Sequence, residues 1–147
     1  DLGWHTKGHL VRALLEGVAF GHRQHVETIR KAGATFEEAV LSGGGSRSRL
    51  WPQIFADVLG VPVSVAVSRE TGALGAAIAA GTGVGLFADF TAGANAMVRA
   101  DRHYRPNVAL CAHYDRRYAL YRDIGEAMTP LWRRLTASQE MAAGVAA

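Results

Sequence analysis

The chain has 147 residues, 49% of them hydrophobic and 20% charged, a balance that excludes a disordered or fibrous segment and reads as one soluble globular domain. Folding at this length hides about two thirds of the surface the unfolded chain exposes, so no disulfide or metal is needed to hold a core. The net charge is +3 and fourteen of the sixteen basic residues are Arg, but they alternate with acids, as in Arg12/Glu16 and Arg23/Glu27 at helical spacing. That pattern reads as solvated helix faces, and no nucleic-acid partner is expected.

The start, Asp1-Leu2-Gly3-Trp4, has no basic segment followed by an apolar run, so no signal peptide is read there. From Thr6 to Lys31, Leu10, Val11, Leu14, Leu15, Val18, Val26 and Ile29 recur at steps of three and four, which predicts an amphipathic helix closed by Gly33. Ala13, Gly17 and Gly21 lie four apart on it, a line of small residues expected to let another element approach closely. His5, His9, His22 and His25 lack convincing metal spacing and read as polar helix positions. Residues 39–42 read as a short buried strand running into Gly43-Gly44-Gly45-Ser46-Arg47-Ser48. A second helix follows, with Ser48 or a neighbour as cap, Pro52 in its first turn and Gly60 at its end. Asp57, on this helix, faces solvent or caps a neighbour.

Residues 61–67 form the next strand, which Pro62 confines to starting there. Thr71 to Ala80 predicts a helix almost wholly of Gly and Ala, which must lie close against something. Residues 71–88 are uncharged, yet five glycines and two threonines dilute them below what a membrane span requires, and no membrane partner is expected. A helix near Phe90 to Val98, an extended piece ending at Pro106, and a last helix from Val108 to about Leu135 complete the order. Tyr114, Tyr118 and Tyr121 lie on the apolar face of the last helix, which is expected to bend near Pro130. Cys111 is a lone cysteine with no zinc-type cluster, which places the chain in a reducing cytoplasm. The fold class is α/β, with a small, partly parallel sheet and packed helices. Two or three strands would leave an exposed edge, so further strands are expected upstream.

The strand, glycine triplet and helix form the strongest local signal. Glycines there admit positive backbone angles and remove Cβ atoms, so an anionic or flat ligand can approach the main chain. A tight turn with no ligand fits the residues too. A Walker loop is excluded, since no Lys follows Lys31, and a dinucleotide fingerprint is excluded because Ser48 stands where its last Gly belongs.

Three blocks add a family resemblance. His9-Leu10-Val11-Arg12-Ala13-Leu14-Leu15-Glu16-Gly17 resembles a signature of FGGY carbohydrate kinases, with Leu14 a slight departure. Ser42 to Trp51, followed by Gln53 to Gly60, resembles the family's adenosine motif, and Glu70 to Ala77 is similar to a third shared block in the same order. The resemblance reaches to about Leu135 and includes a loose likeness to xylulokinase-type members. It implies part of an actin-like, ribonuclease-H-like ATPase domain over residues 1–136, truncated at its N-terminus, with 137–147 a flexible tail. The parent would transfer the ATP γ-phosphate to a small sugar, such as the pentulose xylulose.

In that frame Gly43, Gly44, Gly45, Ser48 and Arg49 are the nucleotide-binding candidates. Gly44 and Gly45 would face adenosine and the α-phosphate, Ser48 would sit near adenine, and Arg49 is a weaker contact to the base. A side chain at Gly45 would occupy space the nucleotide needs. The helix from Thr71 would pack beside the nucleotide helix. The catalytic base, the phosphate loop and the ligands of Mg belong upstream, so this chain carries no catalytic residue and is expected to be inactive alone and to self-associate. A non-catalytic nucleotide-binding or oligomerisation module is the alternative.

Overall fold

The computed structural model describes residues 3–68 and 70–145, with side chains through residue 137. The chain divides into two compact units at Cys111.

Helix α1 (Lys7–Lys31) opens the first unit and begins at a capping box. The Thr6 hydroxyl accepts from the His9 N–H at 3.4 Å, and His9 Nδ1 accepts from the Thr6 N–H at 3.1 Å. Histidine thus fills the role Glu usually plays in that motif, and two of the helix's orphan donors are satisfied. Strand β1 (Ala39–Leu41), a 3₁₀ turn (Gly44–Arg47) and helix α2 (Trp51–Leu59) follow. Ser48 supports the start of α2, its hydroxyl accepting from the N–H groups of Leu50 and Trp51 at 3.2 and 3.1 Å. Gly60, at φ 68°, takes the left-handed conformation that ends the helix.

Strand β2 (Val63–Ala66) pairs parallel with β1, Ala39 opposite Val63 and Leu41 opposite Val65. Helices α3 (Thr71–Gly83) and α4 (Phe90–Met97) then pack against each other, and strand β3 (Ala100–Tyr104) pairs antiparallel with β2. The strand order is β1-β2-β3, so the expected small, partly parallel sheet is present. Central β2 is buried along Val63, Ser64 and Val65, as the near-continuous apolar run at residues 61–65 requires. The core is Ile54, Phe55 and Val58 of α2 against Val61, Val63 and Val65, closed on the other side by Ala19 and Phe20 of α1. Two expected ion pairs form on α1, Arg12 to Glu16 at 2.8 Å and Arg23 to Glu27 at 3.6 Å, and Arg23 also donates to the Val58 carbonyl near the end of α2.

Two packing expectations come out differently. The stripe read as the buried face of α1 is its outer side: Leu10, Val11, Leu14 and Val18 are exposed, Leu14 by 72%, while the face toward α2 carries Glu16, Ala19 and Phe20. At 100° per residue the Leu14/Val18 stripe falls on the far side of the helix from this face, and a Cβ on Gly17, in the predicted line of small residues, would meet nothing within 4 Å. The Gly/Ala helix α3 packs on α4 rather than along the length of its small residues. Only Gly81 uses its missing side chain: a Cβ there would meet the Phe87 ring at 2.7 Å.

Helix α5 (Val108–Val145) carries Pro130 within it and forms the second unit from Ala112 on, where Tyr118 and Tyr121 stack with ring centroids 6.4 Å apart. No helix among the described residues is long and apolar enough to cross a membrane.

Candidate functional site

The site is built where β1 gives way to α2. Gly43 sits at φ 86° and ψ −170°, backbone that a side chain strongly disfavours, and this reverses the chain into the 3₁₀ turn. The turn closes through Ser46 N–H to Gly43 O and Ser48 N–H to Gly45 O, each 3.2 Å, and the Ser46 hydroxyl donates to Gly43 O at 2.7 Å. Among the described residues, none accepts from the N–H groups of Gly44 and Gly45. Two adjacent main-chain donors are therefore left for solvent or a ligand.

A polar cleft of about 290 Å³ opens beside this turn. Gly43, Ser46 and Arg47 form one wall, residues 65–68 the floor, and Asp101 with Arg102 the far side. Since β1 and β2 run parallel and end at Leu41 and Ala66, the cleft lies outside their carboxyl ends, the usual place for ligands on parallel sheets.

Asp101 and Arg102 reach the same cleft because β3 is bulged. Val65 pairs with Arg102 but Ala66 pairs with Ala100, leaving Asp101 as an extra residue. In a regular strand, consecutive side chains point to opposite faces; here both border the cleft. The Arg102 guanidinium spans the turn. Nη2 donates to Ser46 O at 2.6 Å, Nη1 to Ser48 O at 3.4 Å and to the Tyr104 hydroxyl at 3.2 Å, and Nε lies 3.3 Å from Asp101 Oδ2.

The five sequence candidates lie together on or beside this turn, but the structure separates their tasks. Gly43 makes the reversal and borders the cleft. Gly44 is exposed, with open space where a Cβ would stand. A Cβ on Gly45 would come within 2.5 Å of the Trp51 ring, so the reason for glycine at this position inside the chain is the indole lying against it. Trp51 is fixed in turn by Nε1 donating to Leu15 O at 3.1 Å. The Ser48 hydroxyl caps α2, and Arg49 is exposed.

Asp57, the buried carboxylate of α2, accepts from Gln53 Nε2 and from the Asn107 N–H, both at 2.8 Å, and Gln53 also donates to Arg105 O. This is the neighbour-capping alternative, and it fixes the segment between β3 and α5. Sequence reasoning gave no role to Arg102 or Gln53: both act across more than fifty residues, through bonds to main-chain oxygens that no local pattern announces. No group of three or more His, Cys, Asp and Glu among the described residues could hold a metal ion.

Residues 4–84 match the model of the C-terminal domain of the FGGY family of carbohydrate kinases. The chain belongs to this family. It is 39% identical over 135 residues to an autoinducer-2 kinase from Klebsiella pneumoniae, an alignment covering 91% of this chain and 23% of that protein. Among solved structures it is similar to xylulose kinase from Rhodospirillum rubrum, with TM-score 0.79, 36% identity, and coverage of 89% of this chain and 27% of the other. Gluconate kinase from Lactobacillus acidophilus follows at TM-score 0.76 and 27% identity, covering 84% and 25%. The chain thus spans about a quarter of the length of the FGGY proteins it matches, and its α/β fold is that of their actin-like ATPase domain.

Proposed function

We propose that this chain is the adenosine-binding part of an ATP-dependent kinase that phosphorylates a small sugar, with a pentulose such as xylulose as the first candidate. The observation that carries the nucleotide reading is the Gly43–Arg47 turn: two adjacent main-chain N–H groups without a partner among the described residues, beside a polar cleft at the carboxyl ends of parallel strands. Gly44 and Gly45 N–H groups would meet the adenosine and α-phosphate. Gly43 holds the turn open, Ser48 borders the adenine, and Arg49 offers a weaker contact to the base.

We assign no general base to the described residues. Asp57 and Glu16, its buried carboxylates, are engaged with Gln53, Asn107 and Arg12. Magnesium would neutralise the phosphates, and the described residues offer no ligand set for it, so its ligands and the base are assigned to a part of the protein beyond this chain. The lone thiol Cys111 and the absence of any disulfide between described residues favour a cytoplasmic setting.

Xylulose rests on the likeness to a xylulose kinase; the likeness to autoinducer-2 and gluconate kinases makes those substrates the competing arms. Assay of the full-length protein with MgATP against ketopentoses, aldopentoses, polyols, glycerol, gluconate and autoinducer-2 decides among them. Sugar-dependent ADP release with one preferred acceptor is expected. ATP turnover stimulated by none of them would overturn the reading. The second reading, an oligomerisation module, is favoured by the bare apolar side of α1.

A further inference from the structure

We propose that Arg102 is the positioning residue of the nucleotide turn, holding it in the shape that keeps the Gly44 and Gly45 N–H groups available; this rests on the nucleotide reading above. Three observations support it. First, the guanidinium donates to the carbonyls of Ser46 and Ser48 at 2.6 and 3.4 Å, bridging the last half of the turn and the residue that caps α2. A planar fork can hold two oxygens at once, which a single ammonium does poorly. Second, the β3 bulge at Asp101 places Arg102 on the cleft side opposite Val65, and Asp101 and the Tyr104 hydroxyl hold the guanidinium from the outside. Third, the turn is only four residues long, its closing main-chain hydrogen bonds are 3.2 Å and its one short bond, from the Ser46 hydroxyl, reaches back to Gly43 O only, so the Ser46 to Ser48 end is held chiefly by the external brace.

Because its guanidinium is engaged by the Ser46 and Ser48 carbonyls of the turn, the Tyr104 hydroxyl and the Asp101 carboxylate, Arg102 acts on a nucleotide through the turn. Its loss is therefore expected to weaken ATP and to spare the sugar and the chemical step. In the full-length kinase, Arg102→Ala should raise the KM for ATP about tenfold while the KM for sugar and kcat stay within about twofold. Arg102→Lys, keeping the charge and one carbonyl contact, should recover part of the loss, to about threefold. Tyr104→Phe, which removes only one support of the guanidinium, should give a shift of about twofold in the same direction and serves if the alanine variant fails to fold. Hydrogen exchange of the peptide covering residues 42–51 in the same full-length proteins should quicken for Arg102→Ala, with the rest of the sheet unchanged.

An equal rise in both KM values, or exchange that quickens throughout the sheet, would mark Arg102 as a structural residue only and overturn the proposal. So would an unchanged KM for ATP. Should the unaltered protein show no ATP dependence at all, the nucleotide reading itself falls. Exchange confined to residues 42–51 would then still establish the brace, and unchanged exchange would remove it.

Discussion

Helices α1 and α2 are both rich in apolar residues and lie side by side, yet the chain uses them in opposite ways. In α2, Pro52, Ile54, Phe55, Ala56, Asp57 and Val58 are all buried, because α1 covers one side and the sheet the other. In α1, which is nearly three times as long, only Glu16, Ala19 and Phe20 are buried, and Leu10, Val11, Leu14, Val18 and Ile29 face outward. A helix apolar on two sides is built for two neighbours. Among the described residues of the first unit, α2 packs on both α1 and the sheet, whereas α1 packs mainly on α2. The lesson is that an apolar stripe fixes the period of a helix and says little about which neighbour covers it.

The largest expected effect tests that contrast directly. Ile54, 1% exposed, is packed between α1 and the sheet, and its truncation to Ala should cost about 3 kcal/mol of unfolding free energy from lost burial plus the cavity left behind. Leu14, 72% exposed, should tolerate the same truncation within about 0.5 kcal/mol. Urea unfolding of the two variants, at dilutions where the chain is monomeric, reads the difference. Similar losses at both positions would mean that the outer side of α1 is covered in solution.

How much of this was legible beforehand follows the range of each interaction. Local signals were read well: the Pro52 start and Gly60 stop of α2, the i,i+4 pairs on α1, and the reversal at Gly43 all depend on residues within a turn of one another. The small, partly parallel sheet followed from the alternation of helices and strands, and the glycine triplet together with the family resemblance pointed to the turn proposed as the site. What stayed hidden acts over long separations. The bulge at Asp101 arises from register between β2 and β3, the Arg102 bonds cross more than fifty residues, and the indole of Trp51 is aimed at Gly45 by a carbonyl on α1. Periodicity could not orient α1 because both of its sides carry apolar residues.

A smaller effect is expected within the glycine triplet, where two neighbouring residues of one type differ in what surrounds them. Gly45→Ala must displace the Trp51 ring, which is pinned by its bond to Leu15 O, and should destabilise the chain by about 1 to 2 kcal/mol. Gly44→Ala points its methyl into open space at an ordinary backbone angle and should change stability by no more than about 0.5 kcal/mol. Thermal unfolding of both variants checks this. Equal destabilisation would show that the turn, and not the indole, sets the demand for glycine.

The smallest expected change in folding energy is also the one with the clearest consequence for assembly. Leu10, Val11, Leu14 and Val18 lie on one side of α1 and are each at least 45% exposed, forming a contiguous apolar stripe on a helix whose other side is already packed. Water gains when such a stripe is covered, and a second copy of the chain presents the same stripe, so a symmetric pairing through α1 is the simplest way for this chain to cover it. Leu14→Glu places a charge at the most exposed of the four. In an unpaired chain the carboxylate remains in solvent and stability should hold within about 0.5 kcal/mol, whereas in a paired one two carboxylates would be brought into an apolar contact. Sedimentation of the unaltered chain should therefore show concentration-dependent association, and the Glu variant should run as a monomer whose unfolding midpoint matches that of the unaltered chain at dilutions where it too is monomeric. Association that survives the substitution would move the contact elsewhere on the surface, and a chain that stays monomeric at every concentration would show that the bare side of α1 does not bind a second copy.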